Sequence, residues 1–352
     1  MAIDTIEPSD IHVHVGRTLA EWQEPGAAEL AELAEDLVRE RGNAPAIRLD
    51  RLKRAVYRLR FGSDLSRSLI LKRHKHAIAA ADRLLAERWL PAIGLSAFAP
   101  RLVAAAAERS GCSVWHVYED LGDQSLVADR SPQRLAAGAE VIARVHVEAA
   151  GHALLPEIRW RSRDHSVHFT AHLRDAAATL VRVSATRPAM PREAAAAVER
   201  LARRVDSLIE DAPRLMRMVE DSGGPATLLH GDLWPKNVFV TSVYGRSDAW
   251  LIDWDHVGVG SFTYDVSTFL YQSAPDERSW IWRCYRDALE RAGWNIADNG
   301  DLNQLFLIAQ TARYVQCILW AALSLVNDGA EWAVRELVDY DRWFEELRPP
   351  LA

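Results

Sequence analysis

The stretch LLHGDLWPKNVFV, residues 228–240, decides how this chain is read. Two apolar runs flank a polar loop that holds His230, Gly231 and Asp232 and, five residues after the aspartate, Asn237. This alternation predicts a strand, a tight loop and a second strand, a scaffold that fixes Asp232 and Asn237 in place. Sixteen residues after Asn237 the apolar run AWLID (249–253) ends in Asp253. Two strands joined by a short connection would bring that carboxylate close to Asn237.

A carboxylate and an amide oxygen together suit a hard cation that keeps several waters, as Mg²⁺ does beside nucleotide phosphates. A second carboxylate that is not a metal ligand can accept a proton from a substrate hydroxyl. The chain also has only four lysines, Lys53, Lys72, Lys75 and Lys236, so a lysine here is a minority choice over arginine. Lysine supplies a compact point charge where a guanidinium fork is too wide. Lys72 lies in the strand-like run SLILKRH (68–74), and Glu87, the only glutamate between it and Glu108, lies in the alanine- and leucine-rich helix pattern that follows. Pairing across strand and helix would steady the ammonium. Base, cation ligands and anchored lysine are together the parts of phosphoryl transfer.

These residues carry a resemblance. LLHGDLWPKNVFV followed by WLIDWD (250–255) resembles the catalytic and metal-binding loops of the aminoglycoside phosphotransferase and choline kinase-like family, which shares the protein-kinase fold. The resemblance implies Asp232 as catalytic base, Asn237 and Asp253 as Mg²⁺ ligands, and Lys72 with Glu87 as the phosphate anchor. It also implies Asp265, in GVGSFTYDVSTFL, as a support beneath the catalytic loop, and His230 reads as a structural residue bonded to loop backbone. EDLGDQSL (119–126) is similar to the hinge between lobes, where Glu119 and Leu121 would present backbone to the purine of ATP or GTP. Ser261 and Phe262 depart from the family pattern, which commonly has Asp and Pro there. The turn Asp50-Arg51-Leu52-Lys53-Arg54-Ala55 departs more seriously, because it contains no glycine and so hinders close approach of backbone to phosphate. Side chains of Arg51, Lys53 or Arg54 would then have to make phosphate contacts.

The rest of the pattern predicts an α+β chain in two lobes, and the resemblance implies that these form a bilobal protein-kinase-like fold. Strands at 46–52, 55–61, 68–74, 101–106 and 113–118, helices at 26–41 and 75–90, and turns at Gly42-Asn43 and Gly62-Ser63-Asp64 make a small antiparallel lobe with one key helix over residues 1–119. Residues 120–352 form a larger, mainly helical lobe: a helix at 132–149, segments from 170 to 221 separated at Pro188, Pro191 and Pro213, and helices at 263–272, 276–292, 301–326 and 330–346. The helical stretch of residues 150–225 lies before the catalytic loop, where the small-molecule family has its insertion, which argues against a protein kinase.

Net charge is −7, so no basic excess points to nucleic acid or to an anionic membrane. The start MAIDTIEPSD reads as no signal peptide and no uninterrupted apolar run is long enough to span a bilayer, so a cytoplasmic protein is expected. Cys112, Cys284 and Cys317 have no metal-ligand spacing and read as free thiols. His12 with His14 and His74 with His76 have alternate spacing but no further ligands nearby, and read as surface residues. Asp255 reads as a loop cap. Among thirteen tryptophans, Trp234, Trp254, Trp280 and Trp282 stand where an acceptor ring could stack, and the others read as core.

The expected activity is transfer of the γ-phosphoryl of ATP or GTP, with Mg²⁺, to a hydroxyl of an aminoglycoside, nucleoside or sugar-like natural product, as in antibiotic resistance. A metabolic kinase for choline, homoserine or a glycated amine would share the same catalytic residues. A nucleotide-binding pseudokinase is the rival from another class, supported only by the glycine-free turn. Monomer and homodimer are both open.

Overall fold

The computed structural model describes residues 11–41, 46–62, 65–186, 190–243, 246–294, 296 and 299–351. The expected turns at Gly42-Asn43 and Ser63-Asp64, and Pro188, lie outside them. The chain divides into two compact units, Met1–Gln124 with Trp250–Asp255, and Ser125–Ala249 with His256–Ala352.

In the first unit, helices α1 (Ile11–Glu21) and α2 (Ala27–Glu40) precede β1 (Ile47–Lys53), β2 (Val56–Phe61) and β3 (Arg67–Lys75). A helical run follows: α3 (His76–Leu84), a widened π turn at Leu85–Trp89, and α4 (Leu90–Ile93). Strands β4 (Leu102–Ala107) and β5 (Ser113–Glu119) complete an antiparallel sheet ordered β1-β2-β3-β5-β4. Side chains alternate between faces of a strand, so odd and even positions separate. Leu69 and Leu71 of β3 and Trp115 and Val117 of β5 join Tyr57 and Leu59 in an apolar core with Ile11, Val15 and Leu19 of α1 and Leu30, Ala34 and Val38 of α2. Helix α1 is absent from the sequence expectation, and it makes His12 and His14 helical residues. The even positions of β3 and β5 carry Lys72, His74, His116 and Tyr118, with Lys72 directly opposite His116 in the ladder. One face of the sheet is thus apolar and the other carries ionisable groups.

The glycine-free turn between β1 and β2 closes on Ala55, which takes a left-handed conformation at φ +61°. A side chain there costs roughly 1–2 kcal/mol relative to glycine. Its carbonyl accepts the Arg73 amide at 2.9 Å, which ties the turn to β3.

The second unit holds α5 (Pro132–Ala149), α6 (Leu155–Arg161), α7 (His165–Thr186), α8 (Arg192–Ser222), β6 (Thr227–Leu229), β7 (Val238–Val243), β9 (Gly258–Gly260), α9 (Thr263–Tyr271), α10 (Pro275–Arg291), α11 (Asn299–Asp328) and α12 (Trp332–Glu346); β8 (Arg246–Leu251) begins here and runs into the first unit. Leu173, Leu180, Leu201, Val205, Ile318, Leu325 and Leu337 pack α7, α8, α11 and α12 into one core. Pro213 lies inside α8 instead of ending it. Helix α11 is long and apolar enough by composition to cross a membrane, and its apolar window is 72% buried among its neighbours, as a core helix would be. The two strands of the opening motif do not pair with each other. β6 pairs with β9 and β7 with β8, so the polar loop between them crosses from one two-stranded sheet to the other.

Candidate active site

The loop after β6 is suspended from a buried carboxylate. Asp265, 1% exposed at the start of α9, accepts the backbone amides of His230 at 2.7 Å and Gly231 at 2.9 Å, and its Oδ2 lies 3.3 Å from His146 Nε2. Burial alone raises its pKa, but His146, His230 and these amides hold it below the ordinary aspartate value. Gly231 has φ +77°, and a Cβ at that position would stand 2.0 Å from the carbonyl oxygen of His256. The glycine of His-Gly-Asp thus permits a left-handed turn pressed against backbone, and the turn presents the next residue, Asp232.

Asp232 is held from two sides. Its Oδ1 is paired with the guanidinium of Arg313, and Asn237 Nδ2 donates to its carbonyl at 2.8 Å and its Oδ2 at 3.2 Å. With its nitrogen committed to Asp232, buried Asn237 has its amide oxygen left as a cation donor. His230 is fully buried, and its Nδ1 accepts the Asp232 amide at 3.3 Å. Arg313 also donates to the Gly231 carbonyl at 3.1 Å and to Gln316 Oε1 at 3.2 Å, and lies 5.6 Å from the Trp234 ring centre. Sequence reasoning did not name Arg313, although it offered a signal. An arginine in an otherwise apolar core helix is costly unless it is paired.

The phosphate-anchor candidate is in the first unit. The Lys72 ammonium, 14% exposed, pairs with Asp253 and with Asp255 Oδ1 at 2.6 Å. Burial lowers the Lys72 pKa, but the two carboxylates reverse this and leave it raised. Burial likewise raises that of Asp253, while Lys72 and Lys53 draw it far down. Lys53, from the glycine-free turn, lies 3.2 Å from Asp253 Oδ2, whereas Arg51 lies 5.9 Å from the Trp22 ring centre. Asp253 does not end the strand. β8 stops at Leu251, and Asp253 sits beyond it at φ +68°. Its carboxylate oxygens are hard donors of the kind suited to Mg²⁺.

Glu87 does not pair with Lys72. It is 54% exposed and pairs with Arg83 at 2.9 Å. The reason is helical phase: Leu85 and Trp89 point inward, so the residue midway between them points out. The inward acid of this helical run is Asp82, 6% exposed. His74 is likewise buried, not a surface histidine, and lies 3.3 Å from Asp255 Oδ1. Asp255 is therefore a second carboxylate on Lys72, not a simple loop cap.

At the hinge-like segment, Glu119 is exposed at the end of β5 and Leu121 is half-buried. Buried Arg58 of β2 orders this stretch by donating to Asp120, Asp123 and the Gly122 carbonyl. Of the candidate stacking tryptophans, Trp254 and Trp282 are buried in the core. Trp234 instead lines a cavity of about 400 Å³ in the second unit, with Arg130, Lys236, Gln272 and Glu277.

His165 braces the loop from behind. Its Nε2 donates to the His256 carbonyl at 3.1 Å, and its ring lies 4.5 Å from that of Tyr264. Burial pushes its pKa down to about 3, and that of His172 down to about 4. The unfolded chain takes up these protons near pH 6.5, before the folded chain does, so stability present above that pH is lost as pH falls toward 3–4. Melting temperature is expected to fall over this window, and less steeply in His165→Gln. Equal slopes would remove His165 as a cause.

Comparisons with known proteins bear on the family and the fold. A model described as the phosphotransferase enzyme family matches residues 46–298. No curated protein sequence matches the chain. Among solved structures, the GDP complex of aminoglycoside 2'-phosphotransferase-IIIa is similar at 14% identity and TM-score 0.61, over 90% of this chain and 99% of that one. A choline kinase from Cryptosporidium parvum Iowa II gives 13% and 0.60 over 86% and 89%. Spectinomycin phosphotransferase, in complex with ADP and spectinomycin, gives 12% and 0.54 over 90% and 94%. These likenesses establish the protein-kinase-like fold. With the loop around Asp232, the lysine–aspartate cluster and a family match over more than half of its length, the chain belongs to the phosphotransferase enzyme family.

Proposed function

We propose that this protein transfers the γ-phosphoryl group of ATP or GTP to a hydroxyl of a small natural product, an aminoglycoside, nucleoside or sugar-like compound, and so serves as a cytoplasmic resistance or self-protection kinase. The observation that carries the reading is the fixation of Asp232. Its backbone is set by Gly231 and Asp265, its Oδ1 by Arg313, and, among the described residues, its Oδ2 keeps only the longer contact to Asn237. A carboxylate so oriented takes the acceptor's hydroxyl proton through Oδ2 as the oxygen attacks phosphorus.

Lys72 supplies positive charge to the upstream phosphates when it exchanges a carboxylate partner for phosphate oxygen. Asp253 and Asn237 would hold Mg²⁺, which when bound neutralises charge on the phosphoryl oxygens. The remaining acceleration comes from positioning the acceptor against a fixed base. Lys53 brings a further ammonium from the glycine-free turn, where backbone approach is hindered.

Relatives in fold include a choline kinase, so the metabolic-kinase alternative shares this chemistry. The cavity beside Trp234 disfavours a choline-like acceptor. Arg130 there is paired with Glu277 at 2.8 Å, Lys236 lies 5.3 Å from the Trp234 ring centre, and Arg313 lies near the same ring, so a quaternary ammonium finds its aromatic partner already in cationic company. Neutral nucleoside or sugar-like acceptors meet no such conflict, whereas the ammonium groups of an aminoglycoside would have to lie away from this ring.

The test is phosphate transfer with ATP and GTP supplied separately, with Mg²⁺, against aminoglycosides, spectinomycin, nucleoside antibiotics, choline and amino alcohols. Turnover of an antibiotic hydroxyl is expected. Turnover of choline or an amino alcohol alone would replace the acceptor class, and nucleotide binding without turnover of any acceptor would favour the pseudokinase.

A further inference from the structure

The polar face of the first unit's sheet holds a cluster that the proposed chemistry does not use. Alternate positions of β5 place His116 and Tyr118 on the face that carries Lys72 and His74, and α3 lays Asp82 against them. The Tyr118 hydroxyl is the hub. It donates to Asp82 Oδ2 at 2.5 Å and lies 3.1 Å from His74 Nε2 and 3.2 Å from His116 Nδ1. His116 Nδ1 lies 2.7 Å from the same Asp82 oxygen. On its other side His74 Nδ1 lies 3.3 Å from Asp255 Oδ1, the atom that pairs with Lys72 at 2.6 Å. A polar path therefore runs from the inward acid of α3 to the ammonium, hydrogen-bonded at each step except His74–Asp255, which is a close approach without an aligned hydrogen bond.

Resting on the phosphotransferase reading, we propose that Asp82, through Tyr118, His74 and Asp255, positions Lys72 for nucleotide phosphate, in place of the direct lysine–glutamate pair that Glu87 does not make. Three arguments support it. The path replaces a missing function, since Glu87 faces solvent and Asp82 is the buried acid of the same helical run. It is directional: burial and Asp82 keep the tyrosine protonated, its pKa raised well above the ordinary phenol value, so the hydroxyl donates to the carboxylate. It also explains why polar residues occupy alternate positions of two neighbouring strands, where lone buried polar groups would be destabilising. His74, Asp82 and His116 have donor atoms close enough together to suggest a cation site, but the tyrosine hydroxyl lies within hydrogen-bond distance of all three. The tyrosine oxygen stands between the two nitrogens and the carboxylate oxygen and fills that position.

Tyr118, His74 and Asp82 are positioning residues, and a mutant cycle with Lys72 separates positioning from folding. Binding of Mg·ATP to Tyr118→Phe, Lys72→Ala and the double variant is measured by calorimetry, with melting temperature as a folding control. Tyr118→Phe is expected to weaken nucleotide about tenfold alone, to leave the KM for acceptor unchanged, and to add nothing in the Lys72→Ala background. Asp82→Asn, which keeps the shape of the side chain, should behave in the same way. Equal weakening in both backgrounds would overturn the relay and leave a structural tyrosine. Uptake of one zinc ion by the wild type, lost in Asp82→Asn, would overturn it in favour of a metal site. A wild type that binds no nucleotide would overturn the phosphotransferase reading, and the relay with it, and is distinguishable because Lys72→Ala would then change nothing.

Discussion

Asp265→Ala is expected to lower stability by about 3 kcal/mol or more and to abolish phosphoryl transfer. The carboxylate is 1% exposed and serves two backbone amides, those of His230 and Gly231, on which the loop presenting Asp232 depends. Each buried donor left without its acceptor costs roughly 1–3 kcal/mol, and bonds to a charged acceptor stand at the upper end. Loss of the His146 contact adds to this, while relief from burying a charge subtracts. Against the roughly 5–15 kcal/mol that holds a typical domain together, the net loss is large. Asp265→Asn keeps one carbonyl acceptor and is expected to fall between alanine and wild type. Denaturant melts followed by activity at a temperature where both variants are folded check the two parts. A stable Asp265→Ala with normal transfer would mean that the loop holds its shape without this anchor.

Gly231→Ala is expected to be as damaging, through sterics instead of charge. At φ +77° an added methyl meets the His256 carbonyl oxygen at 2.0 Å and its carbon at 2.8 Å, and His165 Nε2 at 3.0 Å. The left-handed conformation alone costs a non-glycine residue about 1–2 kcal/mol. The larger problem is that the obstacle is backbone, which cannot turn aside as a side chain can. The loop must shift, and Asp232, the next residue, shifts with it. Since misplacement by about 1 Å can cost a hundredfold in rate, transfer should fall at least that far. Kinetics and melting temperature of Gly231→Ala decide the matter, and near-normal values of both would show that the glycine's conformation is incidental.

The parts of this protein that could be read in advance are those whose chemistry is contiguous in sequence. The loop around Asp232 lies in thirteen residues, LLHGDLWPKNVFV, and its turn needs a glycine for a local reason. The strands of the first unit follow from two-residue alternation, and every one of the five lies within two residues of its expected bounds. What escaped depends on contacts far along the chain or on helical phase. Arg313 stands eighty-one residues from Asp232, and nothing in the motif points to it. Glu87 was attractive as the only glutamate in its interval, but Leu85 and Trp89 set the inner face of that helical run and the inward acid is an aspartate. His74 looked like half of an exposed pair with His76. The strand ends at Lys75 and His76 begins α3, so the two point differently and only His74 is buried. Asp255 could not be assigned because its role exists only in the company of Lys72 and His74. Helix α1 shows the reverse case: it was missed although Ile11, Val15 and Leu19 recur every four residues as an amphipathic stripe.

The measurement that tests the central claim most directly is transfer of labelled γ-phosphate from ATP and GTP to an accepted antibiotic by wild type and Asp232→Asn, with nucleotide affinity measured in parallel. Asparagine keeps the size of the side chain and a contact for Arg313 but takes up no proton. The account predicts a fall in kcat of about 10²–10⁴-fold with nucleotide affinity nearly unchanged. Transfer by Asp232→Asn at the wild-type rate would contradict it, because the carboxylate that Gly231, Asp265, Asn237 and Arg313 hold in place would then have no part in the reaction.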